Sequence, residues 1–167
     1  LVVGARGRLG SAIVREFASH ADVVALGRSD LDITDDEGVL ARVTAESPDV
    51  IINSAAYNAV DAAQEDPATA LHVNAFGVRA LARAAAAVDA TLVHYSTDFV
   101  FDGQTYRPYV ESDRPNPQSV YAMSKLLGEW FAADAGRQYV LRVESLFGQA
   151  RNDETRGSVA MIVARLK

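Results

Sequence analysis

The stretch Gly4-Ala-Arg-Gly-Arg-Leu-Gly10 decides the fold of this chain. It follows the short apolar run Leu1–Gly4 and leads into a segment with helical periodicity. Small residues let the backbone turn sharply and approach a pyrophosphate, whose charge the N-terminus of the next helix stabilises. A strand, a glycine loop and a helix in this order predict a dinucleotide-binding unit. In isolation, a plain glycine-rich turn between strand and helix is the alternative interpretation.

The same alternation of strand and helix continues along the chain. Short β-branched runs predict further strands at Val23–Leu26, Val50–Asn53, Thr91–Ser96 and Tyr139–Val143. Helical periodicity predicts helices at Arg8–His20, Asp35–Glu46, Pro67–Val88 and Val120–Ala135. Thr34-Asp-Asp-Glu37 is expected to be a capping box, and Asp66 is expected to cap a helix that starts at Pro67. The predicted fold class is α/β: a doubly wound, Rossmann-like parallel sheet with helices on both faces.

Composition excludes several kinds of protein. The chain has no Cys, so disulfides and thiolate catalysis are excluded, and its three His residues are scattered, so we expect no metal site. The net charge of −6 includes no basic block, which argues against nucleic acid as a partner. Since no apolar run is long enough to cross a membrane, we expect a cytoplasmic protein without a membrane partner.

Both ends suggest a piece of a longer protein. The first strand begins without preceding apolar residues, and the chain stops inside a predicted helix. We expect residues 1–156 to form an NAD(P)-binding domain and residues 157–167 to start a truncated substrate-binding lobe. The helix expected near Gly157 carries apolar residues that would normally pack against following chain, namely Val159, Ile162, Val163 and Leu166.

Tyr121 and Lys125 stand four residues apart in Ser119-Val-Tyr-Ala-Met-Ser-Lys125, and therefore share one face of a predicted helix. A phenol titrates near pH ~10, and we expect the neighbouring ammonium to lower its pKa until it can exchange a proton near neutrality. A tyrosine and a lysine on an exposed helix are the alternative. Together with the glycine loop and Tyr95-Ser-Thr-Asp98, the pair indicates a redox enzyme.

The residues after the second strand favour NADP(H) as the cofactor. This strand ends in Leu26-Gly27-Arg28, where a 2′-phosphate calls for Arg and a free ribose hydroxyl for a carboxylate. Arg6 in the loop could reach the same phosphate. NAD(H) is the alternative, since Asp30 and Asp32 could hold a ribose hydroxyl if they are not merely solvated turn residues.

With these motifs in this order, the chain resembles the extended short-chain dehydrogenase/reductase superfamily. Within it the chain looks most like the dTDP-4-dehydrorhamnose reductase family. The stretches that carry the resemblance are Leu31-Asp-Ile-Thr-Asp35, Asn53-Ser-Ala-Ala56, Ala59-Val-Asp61, Val73-Asn74, His94-Tyr-Ser-Thr-Asp-Phe-Val-Phe-Asp-Gly103 and Glu111-Ser-Asp-Arg-Pro-Asn-Pro117. The resemblance implies NADPH-dependent reduction of the 4-keto group of a nucleotide-activated deoxysugar, as in dTDP-rhamnose biosynthesis.

The resemblance also implies roles for individual residues. Thr97 would hold the substrate carbonyl, Tyr121 would donate the proton and Lys125 would bind the ribose. Asn74 would help to order a water and the lysine. The residues expected to bind the cofactor are Gly4, Arg6, Gly7, Arg8, Leu9, Gly10, Arg28, Asp32, Ile33, Asn53, Ala55, Ala56, Tyr57, Tyr121 and Lys125.

Three stretches bear on which relative the chain follows. Phe99 stands after Asp98 where the sugar-nucleotide dehydratases place a second carboxylate, and Val100-Phe-Asp-Gly103 favours a reductase over an epimerase. Val143-Glu-Ser145 departs from the pattern of the reductases. A second hypothesis is a non-catalytic regulatory subunit like that of methionine adenosyltransferase, with the catalytic subunit as partner. Another sugar-nucleotide epimerase or reductase of the same superfamily is a further alternative. A homodimer is a further expectation.

Overall fold

A computed structural model describes residues 1–146 of the chain. Within this range five strands form one parallel sheet in the order β2-β1-β3-β4-β5. The strands are β1 (Val2–Val3), β2 (Ala25–Leu26), β3 (Val50–Asn53), β4 (Thr91–Thr97) and β5 (Gln138–Val143). Every predicted strand is therefore present, although the first two are each two residues shorter than predicted and the last two each gain one residue at an end.

The helices between the strands are α1 (Arg8–Phe17), α2 (Asp36–Glu46), α3 (Ala62–Glu65), α4 (Pro67–Leu71), α5 (Gly77–Ala87) and α6 (Val120–Ala132). Tighter 3-10 turns follow at Asp98–Val100 and Ala133–Ala135. The first predicted helix ends three residues early, at Phe17 rather than His20.

Helices cover the sheet on both faces, because neighbouring residues of a strand point to opposite sides. On one face α2 and α5 pack over the larger core, to which Val3 and Ile51 contribute. On the other face α1 packs through Ile13 over Val2, next to Ile52. The predicted doubly wound α/β sheet is confirmed.

The strand order creates a switch point between β1 and β3. From β1 the chain crosses first to β2 at one edge and then returns to β3 on the other side. The loops that leave the carboxyl ends of β1 and β3 therefore diverge, and a crevice opens between them. The glycine loop lies on one side of this crevice and the residues after Asn53 lie on the other.

Two predicted helix starts had different outcomes. Asp66 caps α4, accepting a hydrogen bond from the backbone N–H of Thr69 at 3.1 Å, as predicted. The predicted capping box at Thr34 is wrong. The Thr34 hydroxyl donates to Asp32 in the preceding turn at 2.7 Å, so Asp35 becomes the cap and accepts from the N–H of Gly38.

The predicted helix Pro67–Val88 is interrupted by a π turn at His72–Phe76, which links α4 to α5. Such an extra residue in a helical turn is frequent at functional sites. Here it contains Asn74, which is 1% exposed. The π turn packs against α6 so closely that a Cβ atom at Gly128 would collide with the carbonyl oxygen of Asn74.

This contact predicts that Gly128→Ala destabilises the fold. Because the clash is with backbone, the π turn would have to move, and the free energy of unfolding should fall by about 1–3 kcal/mol in a urea titration. Gly77→Ala is the matched control. It is also a helical glycine, but its new methyl group would lie 2.8 Å from the Ile33 side chain and would approach backbone, the Ile33 carbonyl oxygen, only to 3.2 Å.

Gly77→Ala should stay within about 1 kcal/mol of the wild type, because the gain in helix propensity offsets the contact. Equal unfolding midpoints for the two variants would contradict the close packing of α6 on the π turn.

Candidate active site

One groove runs along the carboxyl ends of the strands. It has two parts, of about 370 Å³ and about 500 Å³, which are in the size range of small-molecule sites. The parts share their central wall, formed by Gly7, Ser54, Ala55, Ala56 and Asn58. The groove therefore starts at the glycine loop and continues past β3 to the end of β4.

The first part contains most of the predicted cofactor-binding residues, which are Gly4, Arg6, Gly7, Arg28, Asp32, Ile33, Ala55, Ala56 and Tyr57. Sequence reasoning missed further residues of its wall, including Gly27, Leu31, Asn58, Thr69 and Val73. Gly27 and Leu31 stand directly beside predicted residues after β2. Thr69 and Val73 come from the α4 region, and no local motif marks them.

The second part contains the predicted residues Arg8, Leu9, Asn53, Thr97, Tyr121 and Lys125. The missed residues here include Ser96 and the segment Val143–Leu146 after β5. The rule that ligands bind at the carboxyl ends of parallel strands would have found both. Sequence analysis treated Val143, Glu144 and Ser145 only as a departure from the reductase pattern.

Two predicted residues lie behind the groove. Gly10 lets α1 approach the loop, since a Cβ atom there would lie 2.7 Å from Ser54 Oγ. Asn74 uses its side-chain amide on the backbone of Tyr57, accepting from its N–H at 2.8 Å and donating to its carbonyl at 3.0 Å. It also donates to Ser124 Oγ. Asn74 thus fixes a wall residue to α6.

The glycine loop has the shape of an anion cradle. Gly4 has a φ of +76°, and a Cβ atom there would lie 2.6 Å from the backbone nitrogen of Ala55. The loop closes with a hydrogen bond from the Gly7 N–H to the Gly4 carbonyl at 2.9 Å. Gly7 precedes α1, so the helix has no side-chain cap, and it has no acidic residue in its first turn. Its N–H groups can therefore bind a phosphate.

The turn after β2 holds a fixed arrangement of charges. Asp30 accepts a hydrogen bond from the Gly27 N–H at 2.8 Å and forms an ion pair with Arg6 at 3.2 Å. The pKa of Asp30 is lowered, and the hydrogen bond from Gly27 is the largest cause. Asp32 accepts from the N–H and the hydroxyl of Thr34, and these bonds lower its pKa. Both carboxylates hold the turn together, which favours the arginines as the groups that meet a ligand.

Thr97, Tyr121 and Lys125 meet in the wall of the second part. Thr97 ends β4, and Tyr121 and Lys125 lie in the first two turns of α6, whose start Ser119 caps by accepting from the Ala122 N–H. The three side chains are 6%, 9% and 2% exposed. The Phe99 ring lies edge-on to the Tyr121 ring, with centroids 6.2 Å apart.

The pKa of Tyr121 differs from the sequence prediction. Burial raises the pKa of the phenol, and the nearby Thr97 hydroxyl opposes this increase. The expected lowering of this pKa is therefore wrong for this state, in which the Lys125 ammonium donates to the Tyr95 carbonyl on β4 at 2.6 Å. Tyr121 is therefore a neutral phenol at physiological pH and can act as a proton donor.

Burial of Lys125 is the main electrostatic cost at the site. It lowers the pKa of the ammonium from 10.5 to about 8, and the nearby Glu129 opposes the shift. Glu129 is itself buried, paired with Arg142 at 2.7 Å, and accepts from Ser96 Oγ at 2.5 Å. This network joins α6 to β4 and β5 behind the lysine.

Residues 1–146 contain neither a metal-binding cluster nor a membrane-spanning helix. No group of His, Cys, Asp or Glu side chains in this range could hold a metal ion. Among the same residues, no helix is both long and apolar enough to span a membrane. The helix predicted near Gly157, with Val159, Ile162, Val163 and Leu166, lies outside the described residues.

Comparisons with known proteins agree with this architecture. The family model described as RmlD substrate binding domain matches residues 1–164. A dTDP-4-dehydrorhamnose reductase of Burkholderia thailandensis is 45% identical over 141 residues, which are 84% of this chain and 47% of the relative. One from Streptomyces griseus is 42% identical over 151 residues, 89% of this chain and 50% of the relative. The chain thus spans about half the length of the curated relatives it matches.

Solved structures give the same result. A dTDP-4-dehydrorhamnose reductase from Bacillus anthracis, in complex with NADP, has a TM-score of 0.91 at 32% identity. The match covers 99% of this chain and 59% of that one. A Clostridium acetobutylicum reductase of the same kind has a TM-score of 0.89 at 35% identity, covering 98% and 57%. A Thermus thermophilus UDP-glucose 4-epimerase with NAD, at 22% identity, covers 98% and 60%; its TM-score of 0.79 shows a shared fold.

The buried ammonium predicts that Lys125→Met stabilises the fold at pH 7. Below pH 8 the folded protein carries the cost of a buried charge, which the shift from 10.5 to about 8 puts at up to about 3 kcal/mol. Allowing for the Tyr95 carbonyl, which loses its donor, we expect a gain of about 1–3 kcal/mol in urea titrations.

This gain should have a defined pH dependence. Between about pH 8 and 10.5 the folded wild type loses the charge while the unfolded chain keeps it, so the gain should fade across this window. Arg83→Met, which removes an exposed cation on α5, should change stability by less than about 0.5 kcal/mol at any of these pH values. A Lys125→Met protein that is no more stable than wild type at pH 7 would refute the predicted free-energy cost of burying the Lys125 ammonium.

Proposed function

The chain belongs to the family described as RmlD substrate binding domain, and on this premise we propose that it serves NADPH-dependent reduction of a 4-keto sugar nucleotide. The proposed substrate is a dTDP-activated deoxysugar, as in dTDP-rhamnose biosynthesis. The observation that carries the proposal is the meeting of Thr97, Tyr121 and Lys125 in the wall of a groove that continues to the glycine loop. A hydroxyl, a neutral phenol and an ammonium at the end of a dinucleotide groove suit carbonyl reduction.

The groove fits a dinucleotide. Gly4 leaves no room for a side chain between the loop and Ala55, so the backbone itself forms the cradle. The uncapped start of α1 suits the pyrophosphate, and Arg6 and Arg28 suit a 2′-phosphate. When bound, the nicotinamide would supply the hydride for the reduction. The Bacillus anthracis relative with NADP supports the choice of NADP(H) over NAD(H).

The side chains in the second part of the groove have different proposed roles in the reaction. Thr97 and Tyr121 can both hydrogen-bond one carbonyl oxygen, which polarises the carbonyl carbon. The raised pKa of Tyr121 keeps the phenol protonated, so it can donate its proton as negative charge develops on that oxygen. Lys125 holds a positive charge beside the phenol that the reaction converts toward a phenolate. Its proposed second role is to bind ribose hydroxyls, through N–H groups other than the one that it donates to the Tyr95 carbonyl.

The residue after Asp98 supports reduction rather than dehydration. Phe99 is half exposed and packs its ring against Tyr121, so an apolar surface stands where a dehydratase needs a second carboxylate. A substrate ring bound beside Tyr121 would meet this surface. The nucleotide-sugar partner itself is proposed from family membership, and so are a homodimer and, under the regulatory alternative, an adenosyltransferase partner.

The cofactor proposal predicts the effect of Arg28→Asp. Loss of a charge-assisted hydrogen bond and introduction of a like charge should weaken NADPH binding by about 1–3 kcal/mol in a fluorescence titration. Arg15→Asp is the control, because it makes the same charge change on the exposed end of α1 and should leave NADPH affinity unchanged. Equal affinities of the wild type for NADPH and NADH would overturn the preference.

The catalytic proposal predicts the effect of Tyr121→Phe. The variant should bind NADPH almost as well as wild type but reduce a dTDP-4-keto-deoxysugar about 10²- to 10⁴-fold more slowly, the usual loss for a general acid. Tyr139→Phe removes the hydroxyl of an exposed tyrosine on β5 and should be fully active. Wild-type turnover by Tyr121→Phe would refute the assignment. A wild-type protein that binds a methionine adenosyltransferase and reduces no keto sugar would favour the regulatory alternative.

A further inference from the structure

His94 is a buried imidazole that the proposed chemistry does not use. It lies in the middle of β4, is 0% exposed and stands beneath the groove. Its Nδ1 is 3.2 Å from the side-chain nitrogen of Asn53 on β3, the neighbouring strand. Among residues 1–146 its Nε2 has no hydrogen-bond partner. Within this range, the hydrogen bond to Asn53 is therefore the one hydrogen bond of the buried ring.

The direction of this contact follows from the other end of Asn53. The backbone N–H of Ala55 can only donate, and it meets Asn53 at 3.1 Å, so the atom that accepts there must be the amide oxygen. The amide NH₂ group must then point at His94. His94 Nδ1 is therefore the acceptor and carries no proton, which leaves the neutral tautomer with its proton on Nε2.

The neutral state of the ring has a physical cause. Burial lowers the pKa of His94 well below the usual value, and the Lys125 ammonium nearby lowers it further. A protonated ring would present a donor to the donor of Asn53 and force the amide to turn over. Both side chains are 1% exposed or less, so water cannot replace the lost partner.

Ala55 is the point where this arrangement reaches the groove. It belongs to the wall of both parts, and its backbone nitrogen is the atom that a Cβ at Gly4 would approach to 2.6 Å. On the side of the crevice opposite the glycine loop, the Ala55 N–H is thus held by a hydrogen bond to the Asn53 amide oxygen. His94 accepts from the other end of the same amide.

We propose that His94 is a positioning residue for the dinucleotide groove: its neutral ring holds the Asn53 amide in the one orientation that fixes Ala55 against the glycine loop. The part of this inference that concerns the cofactor rests on the proposed binding of NADP(H). Ser54 is a second anchor of the same segment, donating through its hydroxyl to the Val3 carbonyl at 2.7 Å. The loss expected at Ala55 is therefore local.

Two substitutions separate positioning from a general contribution to the core. His94→Asn can present its amide oxygen near the place of Nδ1 and so keep an acceptor for Asn53, but it removes most of the ring. His94→Leu fills more of the space and has no acceptor. Stability should therefore favour His94→Leu, whereas positioning of Ala55 should favour His94→Asn.

The primary readout is the hydrogen exchange rate of the Ala55 amide in the protein without cofactor, followed by NMR. In His94→Leu this amide should exchange about tenfold faster than in wild type, while in His94→Asn it should stay within about threefold. NADPH titrations of the same proteins should show about 3- to 10-fold weaker binding for His94→Leu and near wild-type binding for His94→Asn. Urea titrations give the stability order independently.

The outcomes distinguish this inference from the proposed function. If Ala55 exchange and NADPH affinity both follow the stability order, with His94→Asn worse than His94→Leu, positioning by His94 is refuted. Unchanged Ala55 exchange in His94→Leu refutes it as well. If the exchange pattern is as expected but wild type binds no NADPH, the positioning of Ala55 is supported and the proposed cofactor is overturned.

Discussion

The close approach of Gly4 to the backbone of Ala55 is the constraint on which the site depends. At this point the loops that leave β1 and β3 touch and then diverge, so the groove opens on both sides of the contact. Only a residue without a side chain, at a φ of +76°, can stand there. The contact fixes the cradle at the start of α1 and the wall that leads to Thr97. A shift of either loop would change both halves of the groove together.

Lys125 shows how a residue proposed for the chemistry of the site affects the stability of the surrounding fold. An ammonium that is 2% exposed needs partners, and it has the Tyr95 carbonyl at 2.6 Å and the charge of Glu129 one turn further along α6. Glu129 in turn needs Arg142, whose guanidinium lies over the Phe101 ring at 5.0 Å. A buried charge thus requires a chain of further buried and half-buried polar groups, at a cost in stability that a purely structural helix would not carry.

Much of the fold could be predicted from the sequence, because strand and helix periods and the glycine loop are local patterns. The meeting of Thr97, Tyr121 and Lys125 could be anticipated, because Tyr121 and Lys125 share a helix face and the family resemblance places Thr97 with them. The π turn at Asn74 could not, since no local pattern marks it and its close contact is with Gly128, more than fifty residues away in the chain.

Side-chain hydrogen bonds are a second feature of the structure that the sequence did not predict correctly. Thr34 was expected to cap α2, but a nearby carboxylate, Asp32, takes its hydroxyl. The pKa of Tyr121 was expected to fall, but Lys125 turns to the Tyr95 carbonyl and burial prevails. The pairing of His94 with Asn53 bridges two strands, and no local pattern marks it.

A crystal structure of the protein with NADPH tests most directly the central claim that the dinucleotide binds in this groove. We predict the pyrophosphate at the N–H groups that start α1 and a hydrogen bond from Lys125 to the ribose, whereas a dinucleotide bound outside this groove would contradict the account.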